Sequence, residues 1–264
     1  MDDAEQSAGR PILYEVRGEA AWIRFNRPEV MNAFHQACHE LIQAAIARAS
    51  ADDAVRAVVF IGEGGRAFST GGDLKYRAER EAARDSRNLS YDTFAAVGAC
   101  AKPTIAAIDG YAVGGGLEVA LMCDIRIATE ASRLGLPEVR RSMMPFPGLL
   151  ELQRLIPMGE ALKMQLTGLP MGAGRAFQIG LVQELLPDRE ALIAAAARLV
   201  DEIAQGAPMA VEAYKRVARE SRELSREDGV ALRARLWEVI EASEDRAEAR
   251  AAWAEKRPPV WRRR

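Results

Sequence analysis

Two glycine-rich turns are the segments whose residue types and spacing could do chemistry. Residues 62–74 and 109–118 each leave a β-rich run and enter a helical pattern. Glycine at such turns permits positive φ angles and a close approach of the backbone to a ligand. Free N–H groups at a helix start favour negative charge, so two amides aimed at one oxygen would form an oxyanion hole. The spacing alone fits tight turns and close helix–sheet packing equally well.

Two glutamates stand in settings that could change their affinity for a proton. Glu118 lies in the first turn of an otherwise apolar helix, and Glu138 follows Pro137 at the end of an apolar loop. A carboxylate among apolar groups and near another carboxylate has a raised pKa, which suits it to acid–base catalysis. Taken alone, each glutamate is also explained as an ordinary charge, Glu118 at a helix start and Glu138 in a loop.

Other catalytic chemistries find less support in the sequence. His35 and His39 are the only histidines, and neither a third ligand nor an H-E-x-x-H motif accompanies them, so no metal site is expected. Ser69 lies in a segment that lacks the first glycine of G-x-S-x-G, and both histidines precede it. Neither turn contains G-x-G-x-x-G, and no Walker A lysine pattern is present. Acid–base chemistry therefore falls to the carboxylates.

Composition bounds the class of protein. The 264 residues are 49% hydrophobic and 28% charged with a formal charge of −2, which argues against nucleic acid or an anionic membrane as partner. Three scattered cysteines predict buried thiols in a reducing compartment, and no apolar signal segment opens the chain, so a cytoplasmic location is expected. The basic tail, residues 256–264, is expected to be solvated or to contact another subunit; a place near an anionic ligand is the alternative.

The elements that must position the glycines and glutamates alternate between strand and helix. Residues 13–16 and 21–25 predict a hairpin, and residues 57–61, 104–108 and 125–128 predict buried strands. A helix over residues 32–49 is predicted to start at Asn32 as N-cap and to bury Phe34, Cys38, Leu41 and Ala45. This alternation favours crossover units in a mostly parallel sheet.

After Gly148 the pattern becomes helical. Helices are predicted over residues 160–166, 173–178, 188–205, 209–219 and 224–241, with a last piece ending near residue 256. The expected architecture is α/β, with a sheet-based core and a helical C-terminal part.

Taken together, these segments resemble the crotonase superfamily, the enoyl-CoA hydratase/isomerase family. The resemblance is carried by residues 22–33, 67–75, 102–116, 121–124, 136–138 and 254–259. It implies a crotonase-like spiral of ββα units with a helical C-terminal region. Residues 1–200 would form the core for acyl-CoA binding and catalysis, and residues 201–264 would serve oligomerisation and cover the active site. A homotrimer or a hexamer, a dimer of trimers, is implied as well.

The resemblance also assigns roles to residues. The N–H groups of Gly72 and Gly115 would bind the thioester oxygen of an acyl-CoA, and Glu118 and Glu138 fall on the positions of the two hydratase glutamates. Substrate contacts are expected at Ala67, Gly72, Asp73, Leu74, Lys75, Gly114 and Gly115. Arg27 and Lys75 could neighbour the phosphates or pantetheine, although an ordinary surface charge is the favoured role for each. No cofactor is implied, because CoA is part of the substrate.

The implied reaction is hydration of an enoyl-CoA. A Δ3–Δ2 enoyl-CoA isomerase, a carnitinyl-CoA dehydratase-like enzyme and a non-catalytic acyl-CoA-binding subunit are alternatives, and a hydrolase using Ser69 is a weaker one. Hydratases commonly continue past the second glutamate into a Gly-Gly-Thr-Gln-Arg-Leu run. Here residues 143–148 read Met-Met-Pro-Phe-Pro-Gly instead, which predicts a different acyl pocket.

Overall fold

The computed structural model describes residues 9–76, 78 and 90–264. Its larger sheet has the spatial order β1–β2–β3–β5–β7–β10 and is parallel except for the β1–β2 hairpin. The strands of this sheet are β1 (Ile12–Arg17), β2 (Ala20–Phe25), β3 (Ala57–Gly62), β5 (Thr104–Ile108), β7 (Ile125–Thr129) and β10 (Glu184–Leu186).

A second, smaller sheet is built from short strands that follow strands of the larger one. It has the order β4 (Ala67–Ser69), β6 (Tyr111–Val113), β8 (Arg133–Gly135) and β9 (Met171–Gly172). Along the chain β3 leads to β4, β5 to β6 and β7 to β8, and a helix follows each pair. This succession is the predicted spiral of ββα units, which the structure confirms.

Helices cover both sheets and form the C-terminal part. They are α1 (Gln36–Ala51), α2 (Ser90–Ala99), α3 (Gly115–Met122), α4 (Gly148–Leu155), α5 (Met158–Thr167), α6 (Ala173–Gln178), α7 (Arg189–Ala204), α8 (Pro208–Glu220), α9 (Arg226–Glu241) and α10 (Glu244–Glu255). Single 3₁₀ turns span Pro28–Val30 and Glu138–Arg141. The predicted helices of this region are all present, with ends shifted by a few residues in most.

Both faces of the larger sheet are buried, which explains its continuously apolar strands. On one face Phe25 and Phe60 belong to the main core with residues of α1 and α3. On the other face Val59 and Ile105 pack with Leu192 of α7. Successive strand residues point to opposite faces, so β2, β3, β5 and β7 each contribute to both clusters.

The start and the buried face of α1 differ from the prediction. The helix begins at Gln36, and Asn32 is not its N-cap; Asn32 has a φ of 56° and its side chain binds the carbonyls of Glu63 and Ala67. Leu41 is exposed, and Ile42 is buried in its place. Phe34, Cys38 and Ala45 are buried as predicted, so the prediction was wrong for Leu41 alone.

The C-terminal helices are tied to the sheet by Asp124. Its carboxylate accepts hydrogen bonds from the amide and hydroxyl of Thr104 and forms ion pairs of 2.7 Å with Lys215 and with Arg219 of α8. The predicted division between residues 200 and 201 falls within α7 and remains a prediction.

The basic tail folds back onto its own chain, with exposed and partly buried residues alternating along it, and a contact with another subunit stays a prediction. The buried carboxylate of Asp245 accepts the amides of Arg262 and Arg263 at 2.7 and 3.0 Å. The Trp261 indole donates to the carbonyl of Gln205.

The three cysteines are free and buried, as predicted. Within the described ranges, no helix combines the length and the apolar character needed to cross a membrane.

Candidate active site

A cavity of about 1070 Å³ opens where the two glycine turns, the Glu138–Arg141 turn and the segment 143–148 meet. It brings together nearly all the residues that the sequence singled out. Its lining includes Gly72, Asp73, Leu74, Lys75, Gly114, Gly115, Glu118 and Glu138. Ala67 is not part of the lining: it is buried in β4, and its carbonyl accepts a hydrogen bond from Asn32.

The amides of Gly72 and Gly115 lie close together in this cavity. A Cβ placed on Gly115 would stand 3.7 Å from the Gly72 nitrogen. Among the described residues neither amide has a hydrogen-bond acceptor, although the neighbouring Gly71 carbonyl and Asp73 amide both bind Phe34. Two adjacent N–H groups left for a ligand are the arrangement that an oxyanion hole requires.

Two further glycines keep the space around these amides open. Gly71 has a φ of 80°, and a Cβ there would lie 2.5 Å from the Gly115 nitrogen. Gly114 has a φ of 57°, and a Cβ there would lie 2.9 Å from the carboxylate of Glu138. Any side chain at either position would be strained and would collide with a group of the site.

Glu118 is buried at the start of α3 with its carboxylate directed at the start of α4. Its Oε1 atom accepts a hydrogen bond of 2.8 Å from the amide of Gly148. Burial raises the pKa of Glu118 to about 7, and the charge of Glu138 raises it too, whereas the amides of Gly148 and Phe146 lower it. A carboxyl with a pKa near neutrality can both take and give a proton at physiological pH.

Glu138 lies across the Gly114 turn and is only partly solvated. Burial raises its pKa above the ordinary value, while its own backbone amide and the charge of Arg141 lower it. Its Oε2 atom is buried, and no described residue forms a hydrogen bond with it. An unsatisfied buried carboxylate oxygen is costly when ionised, which is consistent with the raised pKa.

Arg27 and Lys75, the two expected phosphate neighbours, differ in how far their side chains are engaged by other protein groups. The guanidinium of Arg27 is held by the carbonyl of Ala33 at 2.7 Å and by the carboxylate of Asp73 at 3.0 Å. Lys75, by contrast, is exposed at the rim of the cavity. Of these two cations, Lys75 is therefore the more accessible to an anionic ligand.

His39 and Ser69 are buried and hydrogen-bonded within the protein, whereas His35 is partly buried and lines the cavity. Burial lowers the pKa of His39 to about 4, and its Nδ1 atom lies 3.0 Å from the hydroxyl of Thr93. Ser69 is fully buried, donates to the Asn32 carbonyl and accepts the Gly71 amide. In the part of the chain that the structure describes, no group of three or more His, Cys, Asp or Glu residues could hold a metal ion.

The sequence did not reveal which groups surround Glu118. The amide of Gly148 reaches it from thirty residues along the chain, and the Phe146 ring stacks on Tyr91 of α2. Phe94 lies on the other side, 3.6 Å from where a Gly115 Cβ would stand. The departure from the family pattern at residues 143–148 was the signal that this wall is unusual.

Comparison with known proteins agrees with this geometry. A sequence model of the family described as enoyl-CoA hydratase/isomerase matches residues 15–264. The chain belongs to the enoyl-CoA hydratase/isomerase family. A family relative from Thauera aromatica, (E)-benzylidenesuccinyl-CoA hydratase, is 37% identical over 96% of this chain and 99% of its own length. Another from Escherichia coli, 2,3-dehydroadipyl-CoA hydratase, is 35% identical over 92% of this chain and 94% of its own.

A solved structure from the same family shows the same fold. The enoyl-CoA hydratase from Bacillus anthracis superimposes with a TM-score of 0.91 at 31% identity, over 96% of this chain and 100% of that one. The fold class expected from the sequence is therefore confirmed for this member of the enoyl-CoA hydratase/isomerase family.

Proposed function

We propose that the chain is an enoyl-CoA hydratase, which adds water across the 2,3 double bond of an enoyl-CoA thioester. One observation carries the proposal: two adjacent amides, for which no described residue is an acceptor, and two carboxyls of raised pKa line one cavity. The relatives named hydratases support the same reaction. Their names give different acyl groups, so similarity alone does not assign the acyl group taken here.

The chemistry follows from the placement of these groups. Water adds to C3 of a conjugated thioester only if the carbonyl can carry enolate charge, and the Gly72 and Gly115 amides would each stabilise that charge by about 3 kcal/mol. Ionised Glu118 takes a proton from water as the water oxygen forms a bond to C3. Protonated Glu138 gives a proton to C2 as the enolate collapses. Every proton donor and acceptor in this scheme is a protein group or water, so no separate cofactor is needed.

Crotonyl-CoA provides the direct test. The expected result is loss of the conjugated thioester absorbance with formation of 3-hydroxybutyryl-CoA. Binding of CoA esters, with no hydration of enoyl chains of any length, would contradict the proposal and favour a non-catalytic binding subunit. The hydrolase alternative is tested with Ser69→Ala. A hydrolase would release free CoA from the thioester, and this release would stop in the variant.

An isomerase is the nearest alternative, and it makes a different demand on the glutamates. A Δ3–Δ2 isomerisation can be carried by Glu138 alone, whereas hydration needs Glu118 to activate water. Glu118→Gln should therefore abolish the hydration of crotonyl-CoA. Conversion of 3-enoyl-CoA to 2-enoyl-CoA that persists in this variant, in an enzyme without hydratase activity, would identify an isomerase instead.

We also propose a homotrimer or a hexamer in the cytoplasm. Large apolar side chains exposed on the C-terminal helices, among them Val230 and Trp237 of α9 and Trp253 of α10, support an interface between copies. Analytical ultracentrifugation tests the assembly, and a stable monomer at micromolar concentration would contradict it. The free, buried cysteines support a reducing compartment.

A further inference from the structure

Tyr91 and Phe146 form a stacked aromatic pair, in which Phe146 lines the cavity and Tyr91 packs against its ring. Their ring centroids are 5.4 Å apart and the ring planes differ by 26°. Tyr91 belongs to α2 and Phe146 to the segment 143–148, and each side chain is about half exposed. The pair therefore presents an aromatic surface that the described residues do not cover.

Phe146 links this surface to the catalytic carboxyl. Its ring lines the cavity, while its backbone amide, like that of Gly148, lowers the pKa of the Glu118 carboxylate. Phe146 is thus next to the group that would activate the attacking water. Because that water would add to C3 of the substrate, the Phe146 ring is among the side chains available to contact a substituent on C3.

The other side of the reacting centre also carries an aromatic ring. Phe94 lies beside Gly115, so the proposed position of the thioester carbonyl is next to its edge. Met143 and Met144 complete the apolar lining on the side of Phe146. An acyl group held by the two amides would therefore lie between flat, polarisable side chains.

We propose that the Tyr91–Phe146 pair binds the distal end of the acyl group and selects enoyl-CoA thioesters with an aryl ring on C3 over straight alkyl chains. The proposal rests on the hydratase function inferred above. A flat, rigid aryl group stacks on the exposed ring surface and loses little conformational freedom. A long alkyl chain must instead fix many torsions to pack against the same surface.

The test compares dehydration of 3-hydroxy-3-phenylpropionyl-CoA with that of 3-hydroxydecanoyl-CoA. Dehydration is the suitable direction because hydrating an aryl-conjugated double bond loses conjugation. We expect a higher kcat/KM for the aryl substrate in the wild-type enzyme. Phe146→Leu should lower the aryl-to-decanoyl ratio by about 2- to 10-fold. Tyr91→Leu should lower it in the same direction.

Phe177→Leu is the matched control. Phe177 is also a half-exposed phenylalanine, but it lies on α6 and does not line the cavity, so its replacement should leave the ratio unchanged. An aryl-to-decanoyl ratio below one in the wild type would overturn the inference. So would a ratio that neither Phe146→Leu nor Tyr91→Leu changes.

Failure of the hydratase proposal would look different, because 3-hydroxybutyryl-CoA would then not be dehydrated either. In that case the dissociation constants of unreactive 3-phenylpropionyl-CoA and decanoyl-CoA replace the rate ratio. Preference for the phenyl ligand that falls in Phe146→Leu supports the aromatic surface, and equal affinities in both proteins refute it.

Discussion

The Oε1 atom of Glu118, at the start of α3, lies 2.8 Å from the amide of Gly148, the first residue of α4. One carboxylate therefore joins the N-termini of two helices across the floor of the cavity. Helix N-termini favour its negative charge, whereas burial opposes it more strongly and sets the pKa to about 7. The balance leaves comparable amounts of the ionised and protonated forms at neutral pH.

Glu118→Gln should make the protein more stable at high pH and should lower its hydratase activity. Because the folded pKa lies above the ordinary value of 4.5, the stability associated with the protonated form is complete below pH 4.5 and is lost as pH rises through 7. Glutamine stays neutral and can still accept the Gly148 amide. We expect unfolding at pH 8.5 to cost about 2–3 kcal/mol more in the variant, and no such gain at pH 4.5.

Urea denaturation at the two pH values measures this difference. Glu130→Gln, which changes an exposed carboxyl, serves as control and should show no gain. A variant that is equally stable or less stable than the wild type at pH 8.5 would show that Glu118 is not destabilised by ionisation. Hydration by Glu118→Gln should fall by at least about 100-fold.

The charge of Arg141 should affect the pH–rate profile. Its positive charge lowers the pKa of Glu138, so Arg141→Gln should raise that pKa further. The limb of the kcat profile that depends on Glu138 should therefore be displaced to higher pH. The limb that depends on Glu118, whose pKa is about 7, should move little.

Arg140→Gln provides the matched control for Arg141→Gln. Arg140 is adjacent, but its guanidinium binds the carbonyl of Thr167, and it is not among the groups that shift the Glu138 pKa. An identical displacement of the kcat profile in both variants would indicate a general effect of net charge. No displacement in either variant would show that Arg141 does not influence the proton transfer.

Two glycine-to-alanine substitutions should distinguish an effect on the oxyanion hole from an effect on folding. A Cβ at Gly115 meets its nearest neighbours at 3.4–3.7 Å, the Gly72 nitrogen among them, so Gly115→Ala should fold but place a methyl group beside the proposed oxyanion site. We expect kcat to fall by about 100-fold or more. A Cβ at Gly72 meets nothing within 4 Å, so Gly72→Ala should lose much less activity.

Steady-state kinetics and circular dichroism of the two variants provide the measurement. Gly116→Ala is a contrasting case, because its Cβ would lie 2.1 Å from the carbonyl of Ser69 and should destabilise the fold itself. Equal activity in Gly115→Ala and Gly72→Ala would argue against the proposed site of the thioester oxygen.

Asp245 should anchor the C-terminal tail. Asp245→Ala removes the acceptor of the Arg262 and Arg263 amides from a buried position and should cost about 1–3 kcal/mol of unfolding free energy. Glu244→Ala, which breaks the exposed pair with Arg264, should cost less than about 1 kcal/mol. Similar losses in both variants, measured by urea denaturation, would show that the tail is not held by the buried carboxylate.

Five of the six strands of the larger sheet could be predicted from the sequence because apolar runs mark buried strands, whereas the short strand β10 was missed. The spiral of ββα units and the roles of Gly72 and Gly115 came from the resemblance to the family, and those roles stay predictions. Asn32 was misassigned because its type suits a helix N-cap as well as a left-handed turn, and only the carbonyls of Glu63 and Ala67 distinguish the two.

What could not be predicted depends on contacts between distant segments. The Glu118–Gly148 hydrogen bond and the Tyr91–Phe146 stack join residues far apart in sequence, and neither leaves a periodic pattern. The path of the tail could not be predicted for the same reason, since its basic composition does not indicate that the buried carboxylate of Asp245 holds its backbone.

The ion pairs that Asp124 forms with Lys215 and Arg219 predict how the protein would respond to cleavage of its chain. Removal of the chain after Ala204 would take Lys215 and Arg219 away and leave their carboxylate partly buried without a counter-charge. The truncated chain should then be unstable even though its sheets remain complete. A single nick near Gly206 should leave the two fragments associated, and both should melt together in one cooperative transition.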